Sequence, residues 1–256
     1  MNPLIPQGAA GSVVATKGPT MHLAIITGAS TGIGAALVDV ARRAGAHVAT
    51  TSRRDAAGDD HLGLDLADPS QWPRLRQWIA QLVTDRVQRI TLVHAAGTIA
   101  PIGFMGEVDP AELATSTLVN SAAPQVVGDA VIAGADGRPT TIVMVTSGAA
   151  TSAYAGLAPY CAGKAAMDHW VRVAGAEQDQ RGRGVLVWAV APGVVASDMQ
   201  VQLRAADPED FPNTTRHQAL QDDDALDQPG SVAERLWQLA AARAHPNGAV
   251  LDLREL

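Results

Sequence analysis

Several things that this chain of 256 residues lacks limit what it can be. Cys161 is its only cysteine, so no intramolecular disulfide can form and a secreted disulfide scaffold is excluded. The formal net charge is -7, so we expect neither nucleic acid nor a membrane as partner. No apolar run approaches the ~20 residues that a membrane helix requires. The seven histidines are scattered without ligand-like spacing, and we predict no metal site.

The chain does contain enough apolar sequence for one sizeable core. Hydrophobic residues make up 47% of it and charged residues 18%, which suits a single α/β domain. Residues 1–20 are rich in Gly, Pro, Ala and Thr and lack the basic and apolar regions of a signal peptide. We therefore predict a flexible extension over residues 1–20, a catalytic domain over residues 21–256 and a cytoplasmic location.

Short apolar runs alternate with helical patterns from His22 onward. The runs HLAIIT, AHVATT, RITLVHA, TTIVMVT and GVLVWAV are typical of strands buried on both faces of a parallel sheet, and GAVLDL would add a last strand. This repetition predicts a single doubly wound Rossmann-type domain, with helices on both faces of the sheet. The predicted helices are Ile33–Ala44, Ser70–Asp85, Asp109–Ile132, Tyr160–Gln180 and Ser231–Ala244.

Residues 197–229 interrupt the alternation. They contain prolines and several aspartates, and their periodicity is weak. An irregular insertion late in such a fold usually lies over the ligand crevice. We predict that this segment forms a lid over the substrate.

A glycine-rich turn, TGASTGIG at residues 27–34, directly follows the first predicted strand. Glycines permit a tight turn in which backbone N–H groups approach a pyrophosphate at the positive end of the next helix. The spacing is G-x-x-x-G-x-G, not the G-x-G-x-x-G of other dinucleotide folds, and a tight corner without a ligand is the alternative. The predicted cofactor-binding residues of this turn are Gly28, Ser30, Gly32, Ile33 and Gly34.

The end of the second strand bears on which dinucleotide binds. Arg53 and Arg54 follow it, with no carboxylate before Asp55. An acidic residue would accept hydrogen bonds from a free 2′-hydroxyl, whereas arginine suits a 2′-phosphate, so the pair favours NADP(H). A solvated loop is the alternative interpretation. Asp65 can either bind the adenine amino group or cap a turn, and both interpretations stay open.

Tyr160 and Lys164 lie one helical turn apart near the start of a predicted helix, after the strand that precedes Ser147. A phenol, with a pKa of about 10, is a poor base at neutral pH. A nearby ammonium favours the phenolate, so we expect Lys164 to lower the pKa of Tyr160 and to fit it for proton exchange with a carbonyl or alkoxide oxygen. Ser147 can hydrogen-bond the same oxygen. Taken alone, a Tyr-x-x-x-Lys pair is a frequent surface coincidence.

From His22 to its C-terminus the chain resembles the short-chain dehydrogenase/reductase family. The turn TGASTGIG and the set Ser147, Tyr160 and Lys164 match its motifs in order and spacing. The resemblance implies NAD(P) binding and hydride transfer at alcohols and ketones. It also implies that Asn120 is a fourth catalytic residue, which holds a water in a proton relay with the lysine.

The same resemblance extends to segments around the nicotinamide. It assigns a segment over the nicotinamide to residues 192–197 and cofactor approach to the small residues after the fourth strand. The family usually has Asn-Asn-Ala-Gly there, but this chain has His94-Ala95-Ala96-Gly97, which puts the local sheet packing in doubt. Ser197 replaces the more usual threonine and keeps its hydroxyl. The cofactor residues implied in this way are Ala96, Gly97, Pro192, Gly193, Val195 and Ser197, together with Tyr160 and Lys164.

Within the family the chain is most similar to sepiapterin reductase-like and bacterial benzil reductase-type enzymes. The segments that carry this likeness include residues 147–150, 197–200, 210–211 and 251–254. They imply an NADPH-dependent carbonyl reductase that acts on a ketone or vicinal diketone and assembles as a homodimer or homotetramer. The alternatives are an NAD-dependent alcohol dehydrogenase and a dinucleotide-sensing protein without chemistry.

Overall fold

The computed structural model describes residues 20–256, and in this part of the chain seven parallel strands form one sheet. Its order is β3-β2-β1-β4-β5-β6-β7, which confirms the doubly wound Rossmann-type architecture. Residues 1–19, and with them nearly all of the predicted extension, lie outside the described residues. The strands are β1 (Met21–Thr27), β2 (His47–Ser52), β3 (Asp60–Gly63), β4 (Val87–His94), β5 (Thr140–Val145), β6 (Val185–Ala191) and β7 (Val250–Asp252).

Helices cover both faces of the sheet because alternate strand residues point to opposite sides and nearly all of them are apolar. Leu23 and Ile25 of β1 pack into the core on one face, whereas Ala24 and Ile26 pack into the core on the other. The helices are α1 (Gly32–Arg43), α2 (Trp72–Leu82), α3 (Pro110–Thr117), α4 (Ala123–Gly134), α5 (Ala158–Arg181), α6 (Asp198–Ala205), α7 (Thr214–Asp222) and α8 (Pro229–Ala242). The first of these cores contains residues of α2, α4 and α5, and the second contains residues of α1 and α8.

The structure departs from the predicted elements in four places. The helix expected over Asp109–Ile132 is divided by a π-helical turn, Leu118–Ala122. Residues 197–229, expected to be irregular, contain α6 and α7. Strand β3 was not predicted because it has only four residues, and none of them is fully buried. The helix predicted over Ser70–Asp85 is shorter, ending at Leu82.

The sheet order reverses direction between β1 and β4, and this switch point determines where a ligand can lie. In open parallel sheets the crevice outside the carboxyl ends of the strands at the switch point binds ligands. Thr27 and His94 end β1 and β4 and are neighbours in register. None of the helices between residues 20 and 256 is long and apolar enough to cross a bilayer.

Candidate active site

A cleft of about 500 Å³ lies at the carboxyl ends of the central strands. Its walls come from the turn after β1, the ends of β2, β4 and β5, the start of α5 and the segment after β6. The structure therefore brings together nearly all the residues predicted from the sequence. Those that line the cleft are Gly28, Ser30, Gly32, Ile33, Gly34, Arg53, Arg54, Asp65, Ala96, Gly97, Ser147, Tyr160, Lys164, Pro192, Gly193, Val195 and Ser197.

The glycine turn has a geometry that only glycine allows. Gly28 has φ +67°, and a Cβ there would lie 2.7 Å from the backbone nitrogen of Ala96. A Cβ on Gly34 would lie 2.2 Å from the carbonyl oxygen of Gly28. Helix α1 begins at Gly32, and the side chain of its N-cap residue Thr31 makes no capping hydrogen bond. The first turn of α1 thus lines the cleft with its N-terminus uncapped by a side chain and has no acidic residue, which fits a pyrophosphate.

Two arginines form the tip of β2 at one end of the cleft. Arg53 and Arg54 are exposed, and neither makes an ion pair with another residue of the described range. Ser52 donates a hydrogen bond to the carbonyl oxygen of Arg54, which fixes the start of this loop. Asp65 lines the cleft, but its Oδ1 accepts a hydrogen bond from the backbone N–H of Ala67 at 2.9 Å, as a turn-capping residue does.

Tyr160, Lys164 and Ser147 meet at the floor of the cleft. Tyr160 and Lys164 are 6% and 4% exposed, and the Lys164 Nζ lies 5.7 Å from the centroid of the Tyr160 ring. The ammonium donates a hydrogen bond of 2.8 Å to the carbonyl oxygen of Val145 at the end of β5. Ser147, two residues beyond that strand, accepts a 3.1 Å hydrogen bond from the N–H of Ala149. A proton donor, a hydroxyl and a cation thus share one end of the cleft.

Burial dominates the ionisation of this group. It raises the pKa of Tyr160 to about 12, and a hydrogen bond with Ser147 opposes part of that rise. Burial also lowers the pKa of Lys164 to about 8, against the attraction of the Asp168 carboxylate. The lowering of the Tyr160 pKa expected from the ammonium is therefore not found: Lys164 is not among the groups that shift this pKa, and the lost hydration of the phenolate is the largest effect. At neutral pH the phenol carries its proton and is a donor.

Asn120 lies behind the cleft and does not form part of its wall. It is fully buried in the π-helical turn, and its Oδ1 accepts a hydrogen bond from the N–H of Thr98 at 3.1 Å. Its Nδ2 donates to the Thr98 carbonyl at 2.8 Å and to the hydroxyl of Ser116 at 3.1 Å. A Cβ on Gly97 would lie 3.3 Å from the Asn120 Oδ1 and 3.7 Å from the Lys164 Nζ. The side chain therefore fixes the loop after β4; its expected part in a proton relay stays a prediction.

His94 shows how this chain packs without the usual asparagine. The residue is fully buried, and its Nδ1 lies 2.9 Å from the hydroxyl of Thr27 on the neighbouring strand. The same hydroxyl accepts a 3.3 Å hydrogen bond from the N–H of Ala96. Burial, assisted by the charge of Lys164, lowers the pKa of His94 to about 3, so the imidazole is neutral at physiological pH. This contact joins the ends of β1 and β4.

Several cleft residues were missed from the sequence. Tyr154 lines the cleft, and most of its neighbours there belong to no sequence motif. The missed residues come from separate parts of the chain. The only feature of the sequence that indicated any of them was the position of residues 197–229 after the sixth strand. These residues are Thr98, Ile99, Leu157, Met199, Gln200, Leu203, Arg216, His217, Leu220 and Arg254.

Comparisons with known proteins identify the family to which this fold and its motifs correspond. The family model described as short chain dehydrogenase matches residues 22–208. A benzil reductase ((S)-benzoin forming) of Bacillus subtilis is 31% identical over 247 residues, which cover 92% of this chain and 99% of that protein. A sepiapterin reductase of Mus musculus is 30% identical over 171 residues, covering 65% of this chain and 64% of the relative.

Solved structures show the same fold. A short chain dehydrogenase/reductase from Saccharomyces cerevisiae superimposes with a TM-score of 0.80 at 24% identity, covering 91% of this chain and 96% of that one. An actinorhodin polyketide ketoreductase variant superimposes with a TM-score of 0.75 at 23% identity, covering 91% and 95% of the two chains.

Proposed function

This chain belongs to the short-chain dehydrogenase/reductase family and is therefore an oxidoreductase, and we propose that it is an NADPH-dependent carbonyl reductase acting on a ketone or vicinal diketone. The observation that carries the proposal is the trio of Tyr160 and Lys164, both buried, and the half-buried Ser147, in the same cleft as the glycine turn. A protein that only sensed a dinucleotide would have no need of a proton donor there.

The cleft has the groups to hold the cofactor. Its pyrophosphate would lie on the first turn of α1, where the N–H groups are uncapped. Arg53 and Arg54 supply two guanidinium groups at the ribose end, and neither pairs with a carboxylate of residues 20–256, which favours a 2′-phosphate and hence NADPH over NADH. Lys164, at the other end, would bind the nicotinamide ribose hydroxyls. When bound, NADPH supplies the hydride.

The residues of the chain supply the proton and the orientation of the carbonyl. Tyr160 and Ser147 each hold a hydroxyl that can donate to the carbonyl oxygen. Reduction requires a donor that is protonated at neutral pH, and the pKa of about 12 keeps Tyr160 in that form. An alkoxide is more basic than a phenolate, so proton transfer from Tyr160 to the new alkoxide is favourable. General acid assistance of this kind contributes about 10²–10⁴ in rate.

The wall around Tyr160 favours an apolar substrate. Ile99, Ala149, Leu157, Leu203 and Phe211 form a buried apolar cluster with the tyrosine, and the first four also line the cleft. An uncharged aromatic ketone or diketone can bury its rings there, which agrees in kind with the reductase of Bacillus subtilis named above.

The substrate proposal is tested by consumption of NADPH, followed at its nicotinamide absorbance, with benzil, other diketones, pterins and quinones. We expect turnover of at least one aromatic diketone, with NADPH preferred over NADH. Faster turnover with NAD⁺ and an alcohol, followed as NADH formation, would instead favour the dehydrogenase, and no oxidation of NADPH or NADH across the carbonyl panel would favour the sensor.

Tyr160→Phe tests the proton donor. It removes only the hydroxyl, so we expect kcat to fall by about 10²-fold or more, while NADPH affinity, measured by fluorescence titration, stays within a few-fold. Tyr154→Phe is the matched control, since it removes a phenol from the same cleft outside the trio. Near-normal turnover of Tyr160→Phe would contradict the assignment.

We also propose that the chain forms a homodimer or homotetramer, as its family resemblance implies. An apolar surface groove supports this proposal, because small residues of α5, including Ala162 and Ala166, lie opposite Leu113 of α3. Met105 at its edge is 55% exposed. Light scattering coupled to size-exclusion chromatography would detect a monomer and so refute the proposal.

A further inference from the structure

A third ionisable side chain continues the row formed by Tyr160 and Lys164 on α5. Asp168 follows Lys164 by one more helical turn, and the three residues are 6%, 4% and 3% exposed. Burying a carboxylate is costly unless a charge or hydrogen bonds compensate it. The proton chemistry described above gives Asp168 no task, so its burial under the active site requires an explanation.

Among the residues that the structure describes, Asp168 is the acidic side chain that acts on Lys164. Its ammonium donates to a neutral acceptor, the carbonyl oxygen of Val145 at 2.8 Å. His94 faces it from β4 and Tyr160 faces it from the same helix, and both are neutral at pH 7. The Asp168 carboxylate is the charge that opposes the loss of the lysine proton, because it raises the pKa of Lys164 against the effect of burial.

Burial raises the pKa of Asp168, and the Thr146 hydroxyl, Arg172 and Lys164 oppose this rise, in that order of size. The Asp168 Oδ1 and the hydroxyl of Thr146 are buried, and within the described residues neither makes a hydrogen bond of good geometry, although the hydroxyl lies near enough to lower the pKa of the carboxyl. Arg172, an exposed residue one turn further along α5, and Lys164 are the cations that act on its charge. Of these two only Lys164 is buried with it. The carboxylate is therefore placed to act on the active-site ammonium.

We propose that Asp168 is a positioning residue that holds Lys164 in its ammonium form and thereby sets the alkaline limit of the reductase. The second part of this inference rests on the proposed function, because it requires a charged Lys164 for turnover. The first part concerns the charge of one lysine and can be measured on the protein without any substrate.

The sequence makes that measurement direct. The chain has only two lysines, Lys17 and Lys164, so protein labelled with ¹³C at the lysine Cε gives two side-chain signals. Lys17→Arg removes one of them and assigns the other. In this background we expect Lys164 to titrate with a pKa of about 8. Asp168→Asn should lower that midpoint by about one pH unit or more, because the opposite charge nearby is lost.

Two further variants make the result specific. Asp168→Glu keeps a carboxylate, so its Lys164 midpoint should lie close to that of the protein with Asp168. This variant also tests the proposal if the asparagine variant does not fold. Glu177→Gln removes an exposed carboxylate from the same helix and should leave the midpoint in place. A Lys164 midpoint that is unchanged or raised in Asp168→Asn overturns the proposal.

The kinetic readout is the pH profile of kcat/KM with NADPH. We expect the alkaline limb of Asp168→Asn to move down with the lysine midpoint, so that its rate at pH 8 falls about five-fold more than its rate at pH 6. A uniform loss at every pH would indicate a structural role and would refute the pH function. If no carbonyl is reduced by the unmodified protein, the proposed function fails, while the titration still decides the pairing of Asp168 with Lys164.

Discussion

Gly163→Ala should displace Asn120, which packs against α5. The substituted residue does not itself line the cleft. Gly163 lies next to Lys164 in sequence, but it faces the π-helical turn. A Cβ at this position would lie 2.6 Å from the Cβ of Asn120 and 3.4 Å from its carbonyl carbon. The first contact is about 1 Å shorter than a favourable carbon–carbon separation. Because it involves atoms next to the backbone, either α5 or the π-helical turn must move.

The expected cost follows from two opposed effects. Overpacking of this kind costs about 1–3 kcal/mol. Alanine in place of glycine inside a helix stabilises the folded state by about 1 kcal/mol. The net destabilisation is therefore about 0–2 kcal/mol, which lowers Tm by up to about 8 °C in a chain of this size. Movement of Asn120 would also stretch its hydrogen bonds to Thr98, of 2.8 and 3.1 Å, so kcat should fall about ten-fold or more.

Gly230→Ala is the matched control. Gly230 lies in the first turn of α8, and a Cβ there would meet nothing within 4 Å. We expect this variant to keep its kcat and to have an unchanged or slightly higher Tm. Differential scanning fluorimetry and NADPH consumption compare the two variants directly. If Gly163→Ala matched Gly230→Ala in both measurements, the close packing of α5 on the π-helical turn would not matter for the site.

Two further predictions concern the cofactor and the buried histidine. Arg53→Ser with Arg54→Ser should raise KM for NADPH about ten-fold or more and leave KM for NADH nearly unchanged, since the 2′-phosphate loses its cations; equal effects on both cofactors would contradict the assignment. His94 has a folded-state pKa of about 3, below the unfolded value of 6.5, so its contribution is complete above pH 6.5 and is lost as pH falls. Below pH 6.5 the free energy of unfolding therefore falls by about 1.4 kcal/mol per pH unit, which amounts to about 2 kcal/mol at pH 5. His94→Asn should remove this part of the acid sensitivity in urea unfolding, and an unchanged difference between pH 7 and pH 5 would disprove the burial argument.

Local patterns were sufficient for the architecture and for the chemistry-bearing groups. Apolar β-branched runs predict buried parallel strands because only such residues tolerate burial on both faces of a sheet. The glycine turn was readable because close backbone approach excludes every side chain, as the 2.2 Å contact of a Cβ on Gly34 shows. The proximity of Tyr160 and Lys164 could be predicted because residues four apart in a helix lie about one turn from each other.

The rest depended on contacts between distant parts of the chain. The π-helical turn at Asn120 forms against α5 and the loop after β4, and no propensity of its five residues distinguishes it from an ordinary helix. The apolar wall brings Ile99 and Leu203 together across a hundred residues of sequence. The pKa of Tyr160 moved opposite to the expectation from its neighbour, because desolvation is set by everything packed around a group and spacing along a helix reveals only one neighbour. The same reason applies to Asp168. A carboxylate one helical turn from a lysine is an ordinary feature of a sequence, and only the tertiary structure shows that both side chains are buried away from water.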